Sequence, residues 1–409
     1  MRLLNPKITH LNSIYVVFLL LGSSVMSFVP TLLKIGNATQ WKLISIVSTI
    51  GISCVFLING VLGKRKSVVP IQRLWPLFIF WMFYLFRMYY DLLLIDRYDG
   101  DYSLFLPFST TSYFFIYFIG LCVIPSLSIL YLKLDFFYIL KLTFWILFFV
   151  LILSMLYNAG VKETEFETTV RNKGSEGLSY LAYGHWAVTF SLISFFFFTT
   201  TTKAYNKFFF LGGFIFGIIV MYLAGSRSPL FALVLCVMAL LLARNGLTKG
   251  LFAFAAIVTV FFLFWDAIIG YLSRYNVVFL ERIMSSITEG ESSGRDEVYI
   301  QAILQITRSP IFGDALLLTE GSFYGVYPHN MLLESLMTTG VIGSLFFVIW
   351  LFKTCRLAAV ITKANTYHIW ISILFLQYFI FGMASLAFYT NTTFWYLSFM
   401  LWNYYYNES

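Results

Sequence analysis

The sequence predicts an all-α fold, a polytopic transmembrane helical bundle of about 12 spans with a structured outer loop. Composition carries this first: 60% of the 409 residues are hydrophobic and only 11% are charged. A soluble domain carries about a quarter charged residues, so these cannot coat a water-soluble surface. Run length carries it second. Apolar runs of about 20 residues recur along the chain, each enough to cross a bilayer as a helix. They do not alternate in the short segments of a β-barrel.

The first run, 12–33, follows Arg2 and Lys7 and so resembles a signal peptide. It is longer than an h-region and lacks a small-residue cleavage pattern, so it reads as an uncleaved first span. Further spans fall near 43–63, 74–95, 111–132, 136–157, 179–201, 208–224, 229–243, 250–272, 331–354, 366–388 and 391–406, the last short and aromatic. Only a tight turn, Ala224 to Pro229, separates two of them. No separate soluble domain is visible, so residues 1–409 read as one membrane domain. There is no tandem repeat and no half-to-half similarity, which counts against a transporter built from inverted repeats.

Loop charge sets orientation. With a cytoplasmic N-terminus, the inner loops collect Lys64, Arg65, Lys66, Arg73, Lys133, Lys203, Lys207, Arg244, Lys249, Lys353, Arg356 and Lys363. Of 19 acidic residues only Asp135 and Glu408 fall inside. Both termini are then cytoplasmic, and the outer loops face the opposite side of the membrane. The net charge of +8 is dispersed over short loops, which fits a membrane protein and not a nucleic-acid partner. Cys54, Cys122, Cys236 and Cys355 show no pairing or metal-ligand spacing and read as small hydrophobes. The largest outer loop, 273–330, has helical spacing over 274–287 and 295–308, where Val298, Ala302 and Ile306 recur every four residues. Amphipathic helices lying over the outer mouth of the bundle are expected there.

Several polar residues at this face are candidates for chemistry. Arg227, in the turn AGSRSP, reads equally as an interfacial anchor or as an anion clamp. In the second reading the helix begun by Pro229 aims its N–H groups at the same anion. Arg295 opens a loop helix beside Asp296 and Glu297; alone it reads as a solvated charge. His329 precedes a span in a Pro-containing turn, and Asn330 suits the cap of that span. A neutral imidazole there is either structural or a general base. Glu334 is an intramembrane carboxylate, hence a functional candidate unless it is protonated or paired with an arginine. Arg87 and Asp91, four apart, read as a structural pair, with Arg87 facing a polar cavity as the alternative. Tyr183 and His185 line either a pocket or the packed interior. Asp99 and Asp101 form a DxD in an outer loop; such pairs are common by chance, and no metal site is expected. No Walker loop, Rossmann glycine pattern or nucleophile elbow is present, so an already activated, lipid-borne donor is expected in place of bound ATP, with no cofactor.

Three segments in order then become specific: GSRSP, GRDEVYIQAILQITRSPIFGDALL, and PHNMLLESLMTTGVIGSL. Together they resemble the O-antigen polymerase and ligase superfamily, most sharply over about 220–350. His329, Asn330, Leu333 and Glu334, followed by Gly340 and Gly343, are the most telling part. The resemblance implies a GT-C-like, inverting, metal-independent glycosyltransferase in the bacterial inner membrane, with its active site at the periplasmic face. Its donor and acceptor would be glycans on undecaprenyl diphosphate, with a chain-length regulator as a further partner. By position, Arg227 and Arg295 match the arginines that hold the diphosphate, and His329 matches the histidine on the acceptor side. Ser228-Pro229 departs from the small residue frequent in that turn, and the outer loop is compact.

Two readings stay open within the superfamily. One is a Wzy-type polymerase joining repeat units into O-antigen or a related surface polysaccharide. The other is a ligase moving the glycan to lipid A-core or to protein. A lipid-linked oligosaccharide flippase is the reading from another class; it would need polar groups spread through a cavity in both leaflets.

Overall fold

The computed structural model describes residues 6–62, 67, 69–98, 109–157, 162–165, 169–172, 179–263, 295–364 and 367–408. The helix expected over 274–287 and the Asp99–Asp101 motif lie outside these residues, as do Lys64, Arg65 and Lys66.

The architecture is a helical bundle. In chain order the α-helices are α1 Pro6–Val17, α2 Ser23–Leu32, α3 Ala38–Leu62, α4 Trp75–Tyr89, α5 Thr110–Phe115, α6 Ile124–Ile129, α7 Phe136–Tyr157, α8 Tyr180–Thr200, α9 Ala204–Leu223, α10 Arg227–Leu263, α11 Arg295–Arg308, α12 Met331–Ala364, α13 Ile369–Ala384 and α14 Thr392–Glu408. Wider π-helical turns at Phe18–Gly22, Tyr90–Leu94 and Ile116–Val123 continue α1, α4 and α5. A small antiparallel hairpin, β1 Lys162–Glu165 with β2 Thr169–Asn172, was not foreseen from the charged stretch 158–178.

Among the described residues eight helices are long and apolar enough to cross a membrane, or nine if the first pair, bent by 59°, counts as one span. The chain is therefore an integral membrane protein. The sequence reading of about 12 spans differs at identifiable places. Helices α13 and α14 are short, at 16 and 17 residues. The runs 229–243 and 250–272, the latter described only to Leu263, both fall within α10, which is two helices joined at Gly246 (φ 74, ψ 172), so here the two runs stay separate as expected. A Cβ on Gly250 would lie 2.7 Å from the Leu242 Cα. Eight residues of straight helix would separate those points by about 12 Å, so the chain doubles back at Gly246.

Apolar residues fill the interior, with many aromatic contacts around Trp81, Phe80, Phe388 and Trp395. In α8 every residue from Tyr183 to Phe196 is buried. A helix apolar on all sides belongs inside a bundle.

One end of the bundle is closed by residues 310–320, held by charge. Arg87 donates to the carbonyls of Asp314 (2.8 Å), Gly313 (2.7 Å), Phe312 (3.3 Å) and Thr338 (3.2 Å). It also lies 3.6 Å from Asp91, whose other oxygen accepts the Leu316 N–H at 2.6 Å. Arg97 adds a bond to the Asp314 carbonyl at 3.1 Å, and the Tyr98 hydroxyl both accepts from and donates to the Leu317 backbone. The Arg87–Asp91 pair is thus part of a larger clamp, since Arg87 spends its donors on a loop more than 200 residues away.

The clamped loop crosses α12 where that helix breaks. Gly340 sits at φ 62, ψ −170 and Gly313 at φ 79. A Cβ on Gly340 would lie 2.2 Å from the Ile311 carbonyl oxygen, and one on Gly313 would lie 2.5 Å from Thr338 backbone atoms. Only two glycines let these backbones approach so closely. The break is bridged by the loop: Val341 N–H donates to the Pro310 carbonyl and Asp314 N–H to the Met337 carbonyl, both at 2.8 Å. The first turns of α12, which begin beside His329, are fixed by this junction.

Candidate functional site

Helix α12 starts with a built cap. The Asn330 side-chain oxygen accepts the N–H groups of Leu332 (3.0 Å) and Leu333 (3.2 Å), as the sequence led us to expect. The residue before it, His329, has φ 53, a left-handed conformation rare outside glycine. That backbone turns the imidazole towards the end of α13.

There it meets Ser385. The His329 Nδ1 lies 3.2 Å from the Ser385 carbonyl oxygen, and the Tyr327 hydroxyl donates to the same oxygen at 3.2 Å. The Arg295 Nη2 donates to the Ser385 hydroxyl at 3.4 Å. Arg295 and His329, 34 residues apart in sequence, are thus brought to one serine. A carbonyl oxygen only accepts, so Nδ1 carries the imidazole hydrogen. In the neutral ring Nε2 is then the free lone pair. Burial lowers the His329 pKa below the ordinary imidazole value and the Arg295 charge lowers it further, while the Ser385 bond works the other way. At neutral pH the ring is therefore an uncharged base. The Tyr327 hydroxyl, pushed up by burial first and by Glu334 next, stays protonated.

Arg227 opens α10, beside buried Ser226 and Pro229. Its neighbour Ser228 lies 3.2 Å from the His185 Nε2 through its hydroxyl. The His185 ring stacks on Phe381, centroids 3.5 Å apart, one helical turn before Ser385. A continuous path of contacts therefore runs from the Arg227 turn through His185 and α13 to Arg295 and His329. His185 is fully buried and acts on this path as a spacer. Tyr183 is also fully buried, bonded at 2.6 Å to Ser154, and packs inside the bundle.

Glu334 is not bonded to His329. Its carboxyl, fully buried, accepts the Tyr84 hydroxyl at 2.7 Å and the Phe388 N–H at 3.0 Å. It ties α12 to α4 and to the non-helical segment 385–391 that also carries Ser385. Arg87 belongs to the clamp described above. Among the described residues no group of three or more His, Cys, Asp or Glu side chains is placed to hold a metal ion.

Ser385 and Tyr327 escaped the sequence reading. The span expected at 366–388 ran through Ser385, whereas α13 stops at Ala384. The polar run Thr390 to Thr393 just beyond was the available sign of an early end. Tyr327 stood two residues from His329 but carried no charge to mark it.

Comparison with known proteins turns on the same stretch of chain. Residues 212–348 match the model of the family described as O-antigen ligase. The match supports the resemblance of this segment to the O-antigen polymerase and ligase superfamily. It spans about a third of the chain and contains Arg227, Arg295, His329, Glu334 and Gly340. Arg87, Tyr183, His185 and Ser385 lie outside it. No curated protein matches the chain significantly.

Proposed function

We propose that the protein is a glycosyltransferase that polymerises undecaprenyl-diphosphate-linked oligosaccharide repeat units at the outer face of the bacterial inner membrane. The observation that carries the reading is the meeting at Ser385 of Arg295 and His329, two residues of the matched segment. An anion-binding group and a neutral base side by side suit a reaction in which one oxygen gains charge as another loses a proton.

In this reading Arg227 and Arg295 hold the diphosphate of the donor. Guanidinium groups fit phosphate oxygens in a fixed fork. The acceptor hydroxyl oxygen attacks C1 of the donor sugar, and the C1–O bond to the diphosphate breaks. The electron pair leaves with the lipid diphosphate, where the two arginines stabilise the growing charge. The hydroxyl proton passes to His329 Nε2, the free nitrogen of its tautomer. A single displacement inverts the anomeric centre. Asn330 and Tyr327 position the histidine, and His185 positions the Arg227 turn. Glu334 holds segment 385–391 in place; as a base it would first have to release Tyr84 and Phe388.

The second reading is a ligase that moves the same donor glycan to lipid A-core or to protein. It is favoured by the matched family, which is described as O-antigen ligase. Both readings share the donor and the site. The surface-glycan ladder of a strain lacking the gene separates them. Loss of long chains with single repeat units still on the lipid core marks the polymerase. Accumulation of lipid-linked polymer with none on the core marks the ligase. An unchanged ladder in Arg227→Ala and His329→Ala strains with normal protein levels would reject the site.

A further inference from the structure

Beyond the reacting centre, α11 carries a second polar feature that the transfer chemistry does not use. A cavity of about 160 Å³ lies between α11 and residues 318–321. Gln301, Leu304, Gln305 and Arg308 line it from one face of the helix, at i, i+3, i+4 and i+7, and Leu318 and Glu320 face them.

Its polar groups are held in fixed planes. The Gln305 amide donates to the Leu317 carbonyl at 3.0 Å and accepts the Thr319 N–H at 3.0 Å. Arg308 and Glu320 form an ion pair at the rim, so the cavity carries little net charge. The Gln301 amide rests against Gly321, where a Cβ would come within 2.4 Å of its Nε2. Its Oε1 is buried and accepts no hydrogen bond from the protein. A buried acceptor left unpaired is costly, so a shift of the amide towards a donor in the cavity is favoured.

We propose that this cavity is a subsite for one monosaccharide of the lipid-linked glycan, with Gln301 Oε1 accepting a sugar hydroxyl. The inference rests on the glycan-transfer reading above. The chemistry fits a polyhydroxylated ring better than an anion or a lipid tail. Planar amide, guanidinium and carboxylate groups match pairs of hydroxyls, Leu304 and Leu318 offer an apolar surface to ring C–H groups, and the one cation is already neutralised. The position fits as well. Gln301 lies six residues beyond Arg295, about 9 Å along the helix axis and a third of a turn round it. A short oligosaccharide whose diphosphate end is held at Arg295 reaches it.

The test uses the purified full-length protein and lipid-linked repeat unit extracted from a host strain lacking this gene. Gln301→Leu removes the acceptor at similar volume, and Gln301→Asn keeps an amide on a shorter arm. Loss of one hydrogen bond worth 1.4 kcal/mol predicts KM for the lipid-linked unit raised about tenfold in Gln301→Leu, with kcat within about twofold of wild type. A smaller rise is expected for Gln301→Asn. Unchanged KM in Gln301→Leu, with Arg227→Ala inactive, would overturn the subsite and leave the transfer reading standing; the cavity then holds only water. A lowered melting temperature and kcat with KM unchanged would equally overturn it, by making Gln301 a structural residue. Full activity in Arg227→Ala would reject the transfer reading itself and the subsite with it.

Discussion

Replacing Gly340 by alanine tests whether the crossing of residues 310–314 over α12 holds the site together. The residue sits at φ 62, ψ −170, a region that residues with a Cβ rarely enter, at a cost of about 1–3 kcal/mol. The new Cβ would lie 2.2 Å from the Ile311 carbonyl oxygen and 2.5 Å from the Gly313 nitrogen. Both are backbone atoms, so no side chain can swing aside. Relief requires the loop to move by more than about 1 Å, which would break the 2.8 Å bonds of Val341 to Pro310 and of Asp314 to Met337. At about 0.5–1.5 kcal/mol each, their loss brings the total to about 2–6 kcal/mol. The assay is thermal unfolding of the detergent-purified protein, with the surface-glycan ladder read in parallel. The variant should melt well below wild type and form few long chains. Gly212→Ala is the control: nothing lies within 4 Å of its Cβ position in mid-helix, so a small gain from helix propensity is expected. A Gly340→Ala protein with wild-type melting and a wild-type ladder would refute the reasoning.

Further expectations follow from the two clusters. Arg87→Met should free the 312–314 loop and leave Asp91 with weaker pairing, costing about 3–5 kcal/mol; abundance and melting report it, and an unchanged melting point would mean the clamp is not structural. Arg295→Ala should lower kcat about 10²–10³-fold at normal abundance, and Arg295→Lys should recover only part, since an ammonium lacks the guanidinium fork; full activity of the lysine variant would argue against forked binding of phosphate. For His329 the sign of the pH effect is set by burial. Its pKa lies below the usual imidazole value, so the neutral base persists across the neutral range, and a histidine-dependent rate falls only below about pH 6.5 as the ring takes up a proton. A rate that declines already between pH 8 and 7, or a His329→Gln enzyme with the same acid limb as wild type, would remove His329 as the base.

How far the sequence reached is clearest at particular residues. The bundle was legible because run length and charge scarcity answer to the bilayer, which acts on each helix separately. The cap at Asn330 and helix 295–308 were legible because their causes lie within a few residues. The pairing of Arg87 with Asp91 was visible at four-residue spacing. Its four bonds to carbonyls beyond residue 311 were not, because nothing local in the sequence marks a carbonyl as a distant partner. Ser385 was hidden inside an apolar run whose helix ends early. Gly340 was recognised as part of a motif, but its reason appeared only when the Ile311 backbone was found against it.

By itself, then, the sequence determined that the chain crosses a membrane many times, and which short segments resemble a known family. Those properties follow from local composition and spacing. The tertiary structure alone decided that Arg295 and His329 meet at Ser385, that His329 leaves Nε2 free, and that a clamp of arginines fastens residues 312–316 to a broken helix. Each of these depends on backbone groups dozens to hundreds of residues apart, brought together by packing that no local pattern encodes.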